Sequence, residues 1–221
     1  MKYVVIIGDG MADRPLKELG GKTPLQKAFT PNMDKIAAEG IIGIVRTIPR
    51  DFHPGSDIAN LSILGYNPLE FYTGRAPFEA ASIGIRLEED DVPFRCNLVT
   101  LRYNKHKTKA VMEDYSSGHI TTEEAKELIH EIDRELGTEE IHFYPGVSYR
   151  HIMVWSKGEA DIECVPPHDI TGKDITDYLP IGIGEDVLRK MMLRSTGILE
   201  RHPVNKKRLM SGMKPANSLW L

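Results

Sequence analysis

Residues 2–15 read KYVVIIGDGMADRP, and the interpretation of the whole chain turns on them. Residues 3–7, led by Lys2, form a short apolar and β-branched run closed by Gly8. That is the pattern of a strand buried on both faces of a parallel sheet. At its carboxyl end Gly8-Asp9-Gly10 holds an acid between two residues that accept any backbone conformation. Ligands of open α/β sheets bind outside the carboxyl ends of the strands, so Asp9 is either a metal ligand or a helix cap. A dinucleotide fingerprint is not supported, because Asp13 stands where its third glycine belongs.

Working outward, residues 22–40 predict a helix. Thr30 caps it, Pro31 suits its first turn, Met33, Ile36 and Ala37 share a face, and Gly40 ends it. Residues 41–48 are a second β-branched run, so the order is strand, helix, strand, and a parallel sheet is expected. In residues 50–68, RDFHPGSDIANLSILGYNP, Pro54-Gly55 makes a turn and Ser56-Asp57 can cap a helix through Ile58, Leu61 and Leu64. Ser56 thus sits at a strand end and a helix amino terminus, and two such loops on neighbouring strands would bring it to Asp9. The G-x-S-x-G elbow is absent and His53 has no evident partner acid. A metal held partly by Asp9 activates such a serine better than a triad does, although a serine in this place often only caps the helix.

Residues 73–85 are rich in glycine and alanine, with Arg75 and Glu79 as charged members. The texture changes near residue 90. Residues 94–101 and 110–112 alternate like a meander, 121–136 form a helix opened by Thr122 with acids in its first turn, and 141–144 and 149–155 are strands about Pro145-Gly146. Residues 165–173 form a loop, and from Glu185 the pattern is helical again. The expected organisation is a first α/β part over 1–89, an inserted α+β domain over 90–184, and a return to the first domain over 185–221. Arg75, Arg86, Arg95 and Arg150 offer planar forks for phosphate. Arg150 and His151 alternate faces, so both serve one site only at a strand end, and His168-Asp169 follow two prolines. Solvated side chains are the plain alternative for each.

The net charge of −4 argues against a nucleic-acid partner, and no apolar run reaches the length of a membrane span. The chain opens straight into its first strand, which leaves no room for a signal peptide. Cys96 and Cys164 lack metal-site spacing and read as reduced thiols, which predicts a cytoplasmic protein.

Taken together, GDGMADRP, HPGSDIANLSILGYNP, GRAPFEAASIGI, FRCNLVTL, MEDYSSGHI, YPGVSYRHIMVW, PPHDITGKD and MKPANSLWL make the chain resemble the archaeal-type, cofactor-independent phosphoglycerate mutases of the alkaline phosphatase superfamily. The resemblance implies an isomerase of glycolysis and gluconeogenesis that interconverts 3-phosphoglycerate and 2-phosphoglycerate without bisphosphoglycerate. It implies Asp9 as a metal ligand and Ser56 as both metal ligand and phosphorylated serine. It also implies two divalent ions (Mn²⁺, Mg²⁺, Co²⁺ or Zn²⁺), with Arg75, Arg150, His151, His168 and Asp169 binding substrate as the inserted domain closes. Members of the family continue beyond ANSLWL into a half that carries the remaining metal ligands. The expectation is therefore a fragment, a naturally split polypeptide or a product truncated by a frameshift, with little or no activity alone, that associates with a missing carboxyl-terminal half or with itself. The alternatives are a phosphoglycerate-mutase-like homoserine kinase and a non-catalytic subunit.

Overall fold

The computed structural model describes residues 1–106 and 108–221, which divide into two compact units, Met1–Pro68 and Leu69–Leu221. In the first unit, Thr23 opens the short helix α1 (Pro24–Lys27) with a capping box completed by Gln26. Helix α2 (Pro31–Glu39) follows, with Thr30 at its N-cap, Pro31 in its first turn and Gly40 at its end, as its residues predict. Helix α3 (Ser56–Ile63) ends before Gly65, whose φ of 88° only glycine adopts freely. A turn of helix, α4 (Pro68–Phe71), carries the chain across the boundary.

The two expected parallel strands of this unit do not form. Residues 3–7 and 41–48 are irregular, with Val4, Ile6, Ile41 and Ile44 more than four-fifths exposed. A parallel strand is stable only between neighbouring strands and beneath covering helices. Neither run is paired with a strand among the described residues, so β propensity alone leaves them open. Every strand pairing described is antiparallel, and the architecture is mixed α/β.

The second unit is built on one long strand, β1 (Asp91–Tyr103). On one edge it pairs with β4 (Arg150–Ser156), from Asp91 opposite Ser156 to Asn97 opposite Arg150. Further along that same edge residues 100–103 pair with β2 (Ala110–Asp114), and on the opposite edge 97–99 pair with β7 (Ser218–Trp220). Strand β3 (Ile141–Tyr144) covers the outer edge of β4, while β5 (Ile162–Glu163) and β6 (Ile181–Gly182) make a separate small ribbon.

The period of two sorts the sheet's side chains. Phe94, Cys96, Leu98 and Met153 point to the main core, where they meet α6 (Thr122–Leu136) and α7 (Glu185–Arg201). Ile152 and Val154 point the other way, onto Ala76 and Ala80 of α5 (Ala76–Ser82). Helix α6 forms because Thr121 and Glu124 make a reciprocal capping box and Ala125, Leu128, Ile129, Ile132 and Leu136 recur at helical spacing. Each large aliphatic side chain buried there stabilises the fold by about 1.5–3 kcal/mol.

The last helices and strand belong to this same unit. Buried Ser195 of α7 accepts the Leu219 N–H of β7 at 3.0 Å, and Asn205 of α8 (Pro203–Met210) donates to Ala216 O and accepts the Ala216 N–H, both at 2.8 Å. The expected limits at 89/90 and 184/185 therefore do not coincide with the boundary of the two units, because β7 adds to β1 and holds residues 185–221 against it. No helix among the described residues is long and apolar enough to cross a membrane.

Candidate functional site

In the first unit, Asp9 is exposed beside Gly10, whose φ of 70° is left-handed. Ser56 does not cap α3: the N-cap is Gly55, and Ser56 is the first helical residue, exposed and without a capping hydrogen bond. Its hydroxyl lies at the helix end where unpaired N–H groups and the helix dipole favour an anion. Asp9 and Ser56 offer at most three oxygen donors, fewer than the four to six that divalent ions usually take. Among the described residues no three His, Cys, Asp or Glu side chains come together. The residues present do not by themselves fit the two-ion centre that the resemblance implies.

In the second unit, several expected side chains converge. Arg150, exposed at the start of β4, donates from Nη2 to the Tyr149 hydroxyl at 2.9 Å, with its guanidinium carbon 4.9 Å from that ring's centroid. Tyr149 meets Tyr115 edge to face at 5.6 Å, and Tyr115 meets His168 the same way at 6.1 Å. His168 Nε2 lies 3.5 Å from Asp169 Oδ1. A cation, two phenols, an imidazole and a carboxylate thus form one continuous patch, the kind of surface that reads a small anion by charge and hydrogen bonding.

The backbone around this patch is shaped with unusual precision. Ser117, His119 and Ser148 all have φ near +52°, a region that L-residues enter only when their surroundings fix them there. The fixing groups are visible. Burial works to raise the Asp114 pKa, but the Ser116 hydroxyl and N–H, the Lys214 ammonium at 2.9 Å and the Gly118 N–H outweigh it and hold Asp114 at about 2. The guanidinium of Arg208, 2% exposed, donates to Ser117 O at 2.6 Å, to Lys214 O at 2.9 Å and to Glu124 Oε2 at 2.6 Å. The Ser148 hydroxyl donates to Ile120 O at 2.6 Å.

His151 lies elsewhere. It faces the core, 1% exposed, with Nδ1 accepting the Gly146 N–H at 3.0 Å and Nε2 meeting no partner among the described residues. Desolvation lowers its pKa to about 3, so it is a neutral core histidine. The alternation that separates it from Arg150 is the one its position in the strand predicts. Arg75 stands apart from the aromatic patch, at the amino end of α5, where it lines a cavity with Arg95 and Asn97. Arg95 is itself engaged, its Nε 3.0 Å from Glu79 Oε1.

Sequence reasoning missed Tyr115, Tyr149 and Arg208. The small polar run DYSSGH, followed three residues after Thr121 by Glu124, is the signal of a loop fixed against a helix start. No local signal marks Arg208 as buried.

A family profile described as 2,3-bisphosphoglycerate-independent phosphoglycerate mutase matches residues 37–205. The chain is 55% identical, over all its length, to 54% of the enzyme so named from Methanosarcina barkeri, and 53% identical to 55% of a probable one from Geobacter sulfurreducens. It spans about half the length of the curated relatives it matches. Among solved structures, a Pyrococcus horikoshii protein is 32% identical with a TM-score of 0.68 across 96% of this chain and 48% of that one. The cofactor-independent phosphoglycerate mutase from Thermoplasma acidophilum is 30% identical with a TM-score of 0.55, across 96% of this chain and 56% of its own. With the motifs around Ser56, Arg150 and His168 all inside the matched residues, the chain belongs to the 2,3-bisphosphoglycerate-independent phosphoglycerate mutase family.

Proposed function

We propose that this chain carries the phosphoryl-accepting serine and the anion-reading surface of a mutase that interconverts 3-phosphoglycerate and 2-phosphoglycerate. The observation that carries the reading is the family match over residues 37–205, which contains both Ser56 and the Arg150 patch. In the first step the Ser56 oxygen forms a bond to phosphorus as the bond from phosphorus to the 3-oxygen of glycerate breaks. The serine loses its proton, and the departing alkoxide gains one. In the second step the 2-oxygen of glycerate forms a bond to phosphorus as the bond from phosphorus to the Ser56 oxygen breaks; the 2-hydroxyl loses its proton and the Ser56 oxygen regains one. The amino terminus of α3 supplies N–H groups and a favourable dipole for the phosphoryl oxygens. Arg150 supplies a bidentate fork for a carboxylate or phosphate, with Tyr149 holding the guanidinium in place.

Because Asp9 and Ser56 are too few to retain a divalent ion, the 221-residue chain should be inactive by itself. Enolase-coupled turnover of 3-phosphoglycerate, with Mn²⁺ present, tests this. The chain alone should give no signal, and addition of the second half of the Methanosarcina barkeri relative should give turnover. Phosphorylation of homoserine from ATP by the same mixture, without mutase turnover, would instead establish the kinase alternative.

A further inference from the structure

The second edge of β1 is only partly used. On the β4 side it is paired from Asp91 to Asn97; on the opposite side β7 pairs with Asn97 to Val99, and Asn217 takes up the backbone groups of Leu101. Two backbone bonds fix which groups face which way: Leu98 N–H donates to Tyr149 O at 2.9 Å, and Lys157 N–H to Asp90 O at 2.8 Å. Even-numbered residues of β1 therefore turn their backbone groups towards β4, and odd-numbered residues turn theirs away. Asn97 and Val99 are taken up opposite Trp220 and Ser218. Next along, the N–H and C=O of Arg95 and the C=O of Pro93 face outward beside a cavity of about 710 Å³, lined by Val92, Pro93, Arg95, Ile162, Val165 and Leu221 among others. Pro93 sits where its missing N–H costs the sheet no β4 bond, the usual place of proline in an edge strand.

We propose that this groove receives an extended polypeptide strand, antiparallel to β1 and in line with β7. The occupant is the segment that follows, in the longer relatives, the stretch this chain matches. Two observations select it. The β7 register ends with Trp220 opposite Asn97 and Leu221 at the mouth of the cavity, so a strand continuing that line meets Arg95 next but one after Trp220. The Methanosarcina barkeri relative is also nearly twice as long as the stretch matched, 54% of it being covered. The space is right for such a strand: with a rise of ~3.4 Å, a strand spacing of ~4.8 Å and a sheet thickness of ~10 Å, one residue fills about 160 Å³, so the cavity holds about four. The first and third residues of the segment place their backbone groups against Arg95 and Pro93. Its second and fourth share the core face with Phe94 and Val92 and should be apolar.

Amide hydrogen exchange, read residue by residue by NMR, tests the proposal on three proteins. These are the 221-residue chain, the chain extended by the ten residues that follow the match in the Methanosarcina barkeri relative, and the chain extended by ten glycines and serines. The relative's segment should slow exchange at the Arg95 amide by about tenfold or more, while the Met112 amide of β2 is unchanged and reports an intact fold. Placing proline at the first added position should abolish the effect. Equal exchange at Arg95 in all three proteins overturns the proposal. So does protection that rises with the concentration of the unextended chain, which would assign the edge to a second copy. The measurement reads no turnover, so its failure leaves the mutase reading standing.

Discussion

Arg208 holds three partners with one buried guanidinium: the Ser117 and Lys214 carbonyls and the Glu124 carboxylate. Replacing it with methionine would strip both carbonyls of this bond and leave the Glu124 carboxylate only its capping bonds to Thr121, and should destabilise the fold by about 3–5 kcal/mol. Urea unfolding of Arg208→Met measures this, and a loss under ~1 kcal/mol would show that the loop holds its left-handed residues without it. His151 has the opposite character, a group kept neutral by burial. Its folded pKa of about 3 lies below its ordinary 6.5, so the unfolded chain binds the extra proton between those values. Stability from His151 is fully present above pH 6.5 and is lost as pH falls towards 3. The stability gap between the native protein and His151→Leu should therefore narrow by about 1.4 kcal/mol per pH unit in that window. A gap independent of pH would mean that the imidazole is solvated.

At the scale of elements, what the sequence made legible was whatever carries its own evidence. Helix α6 is marked in the sequence by a threonine followed by acids in its first turn, although the cap is Thr121 rather than the expected Thr122. Strand β4 and the separation of Arg150 from His151 follow from alternation alone. Residues 3–7 and 41–48 have equal strand character, but propensity says nothing of a partner, and these runs have no paired strand among the described residues. The convergence of Tyr115, Tyr149, Arg150 and His168 was illegible for a related reason: it joins side chains distant in sequence, and no spacing records such a meeting. Likewise Arg208 stands in the basic run Lys206-Lys207-Arg208, which reads as a solvated helix face. The contrast between formed and unformed elements is measurable. Ile44→Asp should change stability by less than about 0.5 kcal/mol, as at any exposed position. Leu128→Ala in α6 should cost about 2–5 kcal/mol. A large loss from Ile44→Asp would mean that residues 41–48 are packed after all.

Across the whole molecule, the residues to which the proposed function assigns a role are divided between two compact units. Met1–Pro68 holds Asp9 and Ser56, and Leu69–Leu221 holds the Arg150 patch on a scaffold fastened by β7, α7 and α8. In the second unit the left-handed loop residues are fixed by buried hydrogen bonds, so the proposed binding patch is held in one shape by the fold itself. The first unit carries Ser56, the proposed phosphoryl acceptor, at the start of α3, and leaves its apolar runs without a paired strand among the described residues. That division explains how one sequence can carry the motifs of a mutase throughout and still lack a metal cradle among its own described residues.

The central claim is that Ser56 receives the phosphoryl group. It is tested most directly by acid-quenching a mixture of this chain, the second half of the Methanosarcina barkeri relative, Mn²⁺ and 3-phosphoglycerate radiolabelled in its phosphate, then locating the label by peptide mapping. The account predicts label on the peptide containing Ser56, and none with Ser56→Ala. Turnover that persists in Ser56→Ala, or label on any other residue, would contradict it.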